Sequence, residues 1–273
     1  MKIILSRKGF DSANGEQPNP IMPDRSLLAL PIPDKEYGNN TYASLEWDGM
    51  SYYDIIRELK PNTKLNAEDY CHLDPDLREG VKKRLPGWKP AFGQSDKALK
   101  HLQRNGVKEG DLFLFFGWFR QTERINGKLV YKRDAKDLHI IYAYMQIGEI
   151  IKPMDNPYDW LKEHPHIGDK KQRNNDSDAI FLPSDILDAL PSLSGYKGCD
   201  VLTYRDDRVL TNIEKYTSRR YWKMPDCFKK VNITYHPNPW ENGYFKSAGR
   251  GQEFVIDATP EIQEWAKQII KKD

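Results

Sequence analysis

Gly110-Asp111-Leu112-Phe113-Leu114-Phe115-Phe116-Gly117-Trp118-Phe119-Arg120, followed by His139-Ile140-Ile141-Tyr142-Ala143-Tyr144-Met145-Gln146-Ile147-Gly148-Glu149-Ile150, is the stretch that decides the fold. Val107 to Asp111 reads as a turn, and Leu112 to Phe119 as a very apolar strand. Asn126-Gly127, flanked by Ile125 and Leu129, predicts a type I′ hairpin turn. Leu138 to Ile151 then supplies one or two further strands, rich in Ile and Tyr.

Working outward, Ile3-Ile4-Leu5 opens the chain as a short strand. Pro18, Pro20, Pro23, Pro31 and Pro33 confine the next segment to an edge strand or an extended crossing, because proline cannot donate to a central ladder. Ser51 caps a helix from Tyr52 to Leu59 that Pro61 stops, with Asp54 completing a capping-box variant. Ser95 caps a second helix, Asp96 to Arg104, ended by Asn105-Gly106. Ser184 caps a small one. Thr259-Pro260-Glu261 opens a final amphipathic helix to Lys271, with proline at its first position. Strands return near Asp200 to Tyr204 and Lys229 to Tyr235, and a polar loop covers Lys152 to Asp178. The expected architecture is α+β, a mixed or antiparallel β-barrel-like core with peripheral short helices, in one domain over residues 1–273.

The 273 residues are 30% charged but carry 7 Trp, 15 Tyr and 10 Phe, which excludes a disordered chain. A net charge of +2 does not announce a nucleic-acid binder. Local clusters say more: Lys82-Lys83-Arg84, Lys132-Arg133, Lys170-Lys171 with Arg173, Arg219-Arg220 and Lys229-Lys230, interleaved with aromatics, permit a basic aromatic groove. The three cysteines, Cys71, Cys199 and Cys227, form no Cys-x-x-Cys pair, which points to a reducing, cytoplasmic setting without a zinc site of the usual spacing. No run is long enough for a membrane span.

Five loops carry chemistry. Ser6-Arg7-Lys8-Gly9-Phe10-Asp11-Ser12 follows the first strand, where Arg7 and Lys8 suit a phosphate and Asp11 suits acid–base work or recognition; the competing reading is a polar turn. Cys71-His72-Leu73-Asp74-Pro75-Asp76 sets an imidazole near carboxylates, as for metal binding, acid–base work or a hydrogen-bonded loop histidine. His164-Pro165-His166 offers two imidazoles, as ligands or as exposed loop residues. Ser218 and Arg219 suit a phosphate contact. Gln252 can pair with a base edge, and Glu253 can act as acid or base. Trp118 beside Arg120 offers a stacking platform for an extruded base.

The central hairpin resembles PUA-like barrels, including the EVE and ASCH domains, whose members bind nucleic acid, some holding a flipped modified base. The opening strand with Ser6-Arg7-Lys8-Gly9-Phe10-Asp11-Ser12, then Pro31-Ile32-Pro33-Asp34, the His72 loop, the Gly110 strand, His139-Ile140-Ile141-Tyr142, His164-Pro165-His166, Trp222-Lys223-Met224-Pro225 and Gly251-Gln252-Glu253-Phe254-Val255 together resemble the third family of nucleotide modification-associated domains, over nearly the whole chain. The resemblance implies a role around hypermodified DNA in bacteria and phages, and nominates Asp11, Glu253 and His72 as catalytic. For nucleotide binding it nominates Arg7, Lys8, Ser12, Asp74, Trp118, Arg120, His139, His166 and Gln252. Two functions follow from these residues. One is a DNA glycosylase of phage defence that excises a hypermodified base such as glucosylated hydroxymethylcytosine; the other is a non-catalytic reader of modified nucleotides. DNA bearing modified bases is the expected partner, a membrane is not, and neither a metal nor an organic cofactor is expected.

Overall fold

Among the described residues nine strands share one sheet: β1 (Lys2–Arg7), β2 (Asn19–Ile21), β3 (Phe92–Ser95), β4 (Leu112–Ile125), β5 (Lys128–Tyr131), β6 (Leu138–Ile151), β7 (Asp178–Pro183), β8 (Cys199–Val201) and β9 (Glu253–Asp257). The computed structural model describes residues 1–34, 39–167, 177–193, 195–215, 217–236, 239–241, 243–249 and 252–272; the expected basic run Lys170-Lys171 with Arg173 and the pair Arg250-Gly251 fall outside them. The strand order is β9-β1-β4-β6-β7-β3, with β2 and β5 on β4 and β8 on β6. β1 and β2 run parallel to β4; the other pairs are antiparallel. The sheet curls into a half-barrel, which matches the α+β expectation.

Curling brings the two end strands of that path within side-chain reach, and Gln94 Nε2 on β3 donates to Glu253 Oε1 on β9 at 2.6 Å. The hairpin turn forms as expected, with Asn126 at φ 52° and Gly127 at φ 81°, the left-handed pair that a type I′ turn requires.

β4 is apolar without alternation because both faces of the sheet are buried. Ile3, Leu5, Leu112, Leu114 and Phe116 face one core with Trp222 and the last helix. Ile4, Phe113, Phe115 and Phe119 face another, with Phe92, Leu99 and Leu102. On β6 the register shifts between Ile141, opposite Phe116, and Ala143, opposite Phe115. Tyr142 is thus an extra residue that lets Tyr142 and Ala143 pack into the same core, as a β-bulge does.

Among the described residues three α-helices flank the sheet: α1 (Tyr52–Leu59), α2 (Asp96–Arg104) and α3 (Pro260–Ile270). Ser51 Oγ accepts from Asp54 N at 3.0 Å, the expected cap, and Thr259 caps α3 through Ile262 N. Ser95 does not cap α2. It ends β3 opposite Asp178, and Asp96 makes the bend at φ 48° while its amide bonds Ser177 O. No helix follows Ser184, whose hydroxyl instead donates to Ile186 O at 2.7 Å and closes a turn. Lys229 to Tyr235 is not a strand either: a 3₁₀ turn covers Asp226–Lys230, and Ile233 bridges Ile256 alone. Among the described residues, no helix is long and apolar enough to cross a membrane.

Candidate functional site

A cleft of about 790 Å³ opens where the loop after β1 meets β3, the His72 loop and the His164 loop. Of the twelve residues nominated from sequence, ten line it: Arg7, Lys8, Asp11, Ser12, His72, Asp74, Trp118, His139, His166 and Gln252. A slightly larger cavity of about 860 Å³ lies elsewhere, against Trp47, Arg78 and Asp200, and contains none of the twelve. The chemistry-bearing residues mark the smaller one.

The loop that forms the first wall is built by its own hydrogen bonds. Asp11 Oδ1 accepts from Ala13 N and Asn14 N, both at 2.7 Å, an arrangement in which an Asp side chain shapes its own turn. Gly15 sits at φ 83° with the Phe10 ring so close that a Cβ would lie 2.3 Å from it. Asp11 thus shapes the polar turn that was the competing reading of this loop.

Glu253 is 1% exposed and lies beneath the cleft instead of lining it. Its Oε1 meets Lys8 Nζ at 3.0 Å and accepts from Ser6 Oγ at 3.1 Å and Gln94 Nε2 at 2.6 Å. Its geometry suits positioning of Lys8 and Gln94. Arg120 also stands apart. Its guanidinium pairs with Asp137 at 2.7 Å and covers Tyr131, so a partner on its own hairpin holds it away from the cleft.

The lining divides by its partners into two groups. The first is cationic: Arg7 with Arg219 and Arg220. Burial depresses the Arg7 guanidinium; Asp11 counters this, while Arg219 and Arg220 depress it further. Arg219 donates to Ser12 Oγ at 2.6 Å and lies 4.1 Å over the Trp118 ring, covering the face expected to receive a base. His139 belongs to this group. Trp222 Nε1 donates to its Nδ1 at 3.0 Å, so the neutral ring carries its proton on Nε2. Burial, then the charges of Arg219, Arg7 and Arg220, hold this imidazole well below its ordinary value.

His139 therefore makes stability pH-dependent. Because it binds a proton more weakly folded than unfolded, the unfolded chain takes up more protons below about pH 6.5, and stability present above that pH falls on acidification. The expected contribution is about 1.4 kcal/mol per pH unit. Denaturant midpoints of His139→Gln should fall less steeply with acid than those of the native chain; parallel curves would contradict this.

The second group is imidazole and carboxylate. Asp74 follows β-paired His72, and Gly93 N on β3 donates to Asp74 Oδ1 at 2.6 Å. His72 Nδ1 lies 3.3 Å from Asp34, His166 Nδ1 lies 3.2 Å from Asp178, and the two Nε2 atoms face each other at 3.2 Å. Burial raises the Asp74 carboxyl, but the His164 imidazole 3.4 Å away, with His166 and His72, more than offsets it and keeps the group ionised below the usual carboxylate range. Burial pushes His166 down to about 4, against the pull of Asp178.

Gly93 is what lets His166 in. A Cβ there would stand 2.1 Å from the His166 ring. Gly93→Ala should cost about 1–3 kcal/mol by overpacking and drive His166 off His72. Urea titration checks it, and an unchanged midpoint would refute the close approach.

Arg220, Asp34, Asp178 and Gln94 escaped the nomination. Arg219-Arg220 and Asp34 stood inside stretches already singled out; Asp178 and Gln94 carried no local signal.

The model of nucleotide modification associated domain 3 matches residues 2–257. The chain belongs to this family. The expected likeness is thereby shown over nearly its full length, and with it a place in nucleotide and DNA modification systems. No curated protein and no solved structure matches the chain.

Proposed function

We propose that the cleft receives one nucleotide of DNA carrying a modified base and hydrolyses its N-glycosidic bond. The observation that carries this reading is the split lining: guanidiniums from Arg7, Arg219 and Arg220 suit an anion, and Asp74 with His72 and His166 lines the same cleft. Arginine suits a phosphate through its planar fork of donors. His139, which lines the cleft with its proton on Nε2, adds a neutral donor for sugar or base. Water held by the Asp74 group attacks C1′ as the C1′–N bond breaks; one water proton stays on the new C1′ hydroxyl, and the other passes through the cluster to the departing base nitrogen. Family membership supports the DNA-modification setting. Arg219 over Trp118 favours an enzyme over a simple aromatic cage, because the ring is already stacked.

The test incubates the purified chain with oligonucleotides bearing glucosylated hydroxymethylcytosine, hydroxymethylcytosine or cytosine, single- and double-stranded, and counts alkali-labile abasic sites. Abasic sites in modified DNA alone support the reaction. Retention of modified DNA with no abasic sites sinks it and leaves a reader.

A further inference from the structure

We infer that His72 Nε2, His166 Nε2 and an Asp74 carboxylate oxygen bind a divalent first-row transition-metal ion of the zinc type. This goes beyond the glycosidic reading and does not rest on it.

The argument begins with proton placement. Asp34 and Asp178 are acceptors, so each imidazole gives its Nδ1 proton to a carboxylate. Both Nε2 atoms are then bare lone pairs, yet they face each other at 3.2 Å. Two unprotonated nitrogens at that distance repel unless a cation lies between them. Nitrogens held at zinc's usual bond length in a tetrahedral site stand about 3.3 Å apart, so the spacing needs almost no adjustment.

Asp74 supplies the third ligand. The candidate ligand atoms of His72, Asp74 and His166 all lie within 4.8 Å of one another, and Asp74 Oδ2 is 3.8 Å from His166 Nε2. The Gly93 amide occupies Oδ1, which leaves Oδ2 for the ion. Two histidines and one carboxylate with positions open to a cleft are a donor set for a borderline cation such as zinc, cobalt or ferrous iron, whereas magnesium and calcium prefer an all-oxygen shell. Carboxylates on the far nitrogens of both histidines are the outer contacts that orient such ligands.

His164 steadies the carboxylate ligand: its Nδ1 accepts, so the neutral ring carries its proton on Nε2, turned toward Asp74. His164 is 4% exposed. Its Nδ1 accepts the His166 amide at 3.2 Å, which locks it against the ligand loop, and Nε2 stands 3.4 Å from Asp74 Oδ1. All three ligands line the cleft, so the open positions face the nucleotide site.

The test uses the full chain, freed of any purification tag and stripped with chelator, and titrates it calorimetrically with Zn²⁺, Co²⁺ and Mg²⁺. The expected result is one Zn²⁺ or Co²⁺ per chain, a visible Co²⁺ absorption band, and no Mg²⁺ uptake. His72→Gln and Asp74→Asn should abolish the band while circular dichroism stays native, and Asp178→Asn should weaken Zn²⁺ binding about 10–100-fold. Absence of stoichiometric uptake, or uptake that folded His72→Gln and Asp74→Asn variants retain, would overturn the inference; the imidazoles would then share a proton. Metal uptake is read without DNA, so it survives or fails separately from the abasic-site assay.

Discussion

Lys8→Met is expected to destabilise the protein by about 3–5 kcal/mol, because it leaves the Glu253 carboxylate buried without its cation. Lys8 and Glu253 side chains are 9% and 1% exposed, and the ammonium also lies 4.5 Å over the Phe92 ring. The same carboxylate holds Ser6 on β1 and Gln94 on β3, so one buried charge pair ties together strands from opposite ends of the curled sheet. Glu253 Oε2 has no hydrogen-bond partner, so once the cation is lost only the neutral donors Ser6 and Gln94 on Oε1 offset the buried charge. The double variant Lys8→Met with Glu253→Gln removes both charges and should recover most of the loss. Urea unfolding of the two variants checks this. A single variant within about 1 kcal/mol of native would mean that water reaches the pair, against its burial.

Arg219→Ala should weaken binding of a modified oligonucleotide about 10–100-fold, the worth of one charge-assisted hydrogen bond to phosphate. Its loss also frees Ser12 and uncovers Trp118, so the anion position loses both charge and shape. The slope of affinity against salt should become shallower by about one phosphate's worth. Arg120→Ala, whose partner is Asp137, should leave affinity and slope unchanged. Fluorescence anisotropy at several salt concentrations separates the two. Equal losses from both variants would put DNA on the outer hairpin instead of in the cleft.

The parts of the fold that could be read from sequence are those where local chemistry and tertiary context agree. Asn126-Gly127, the Ser51 cap and the Thr259-Pro260 start each act within a few residues, and each formed as expected. β3 was invisible because Phe92-Gly93-Gln94-Ser95 is short, half polar and interrupted by glycine. Its strand character comes from pairing with β7, and its glycine is there for His166. β7, apolar from Ala179 to Leu182, was hidden for another reason, at the end of a polar loop.

The site followed the same division. Arg7, Lys8, His72, Asp74 and His166 were recognisable as residues with chemistry, and the fold gathers them in one cleft. What each does there depends on partners far away in the chain. Lys8 meets Glu253, His72 meets Asp34 and His166, and Arg120 is held by Asp137. Spacing along the chain carries no record of such pairings, so neither the role of Asp178 nor the facing of His72 and His166 had a sequence signal.

The central claim is that one cleft holds phosphate on its arginines and the glycosidic carbon at its imidazole–carboxylate cluster. A crystal structure of the Asp74→Asn variant with a 5′-monophosphate of glucosylated hydroxymethylcytidine tests it most directly. The account predicts phosphate oxygens within hydrogen-bond distance of Arg7 and Arg219, with C1′ turned toward residue 74 and His166. Phosphate bound elsewhere, such as in the cavity beside Arg78, or a sugar turned away from His166, would contradict it.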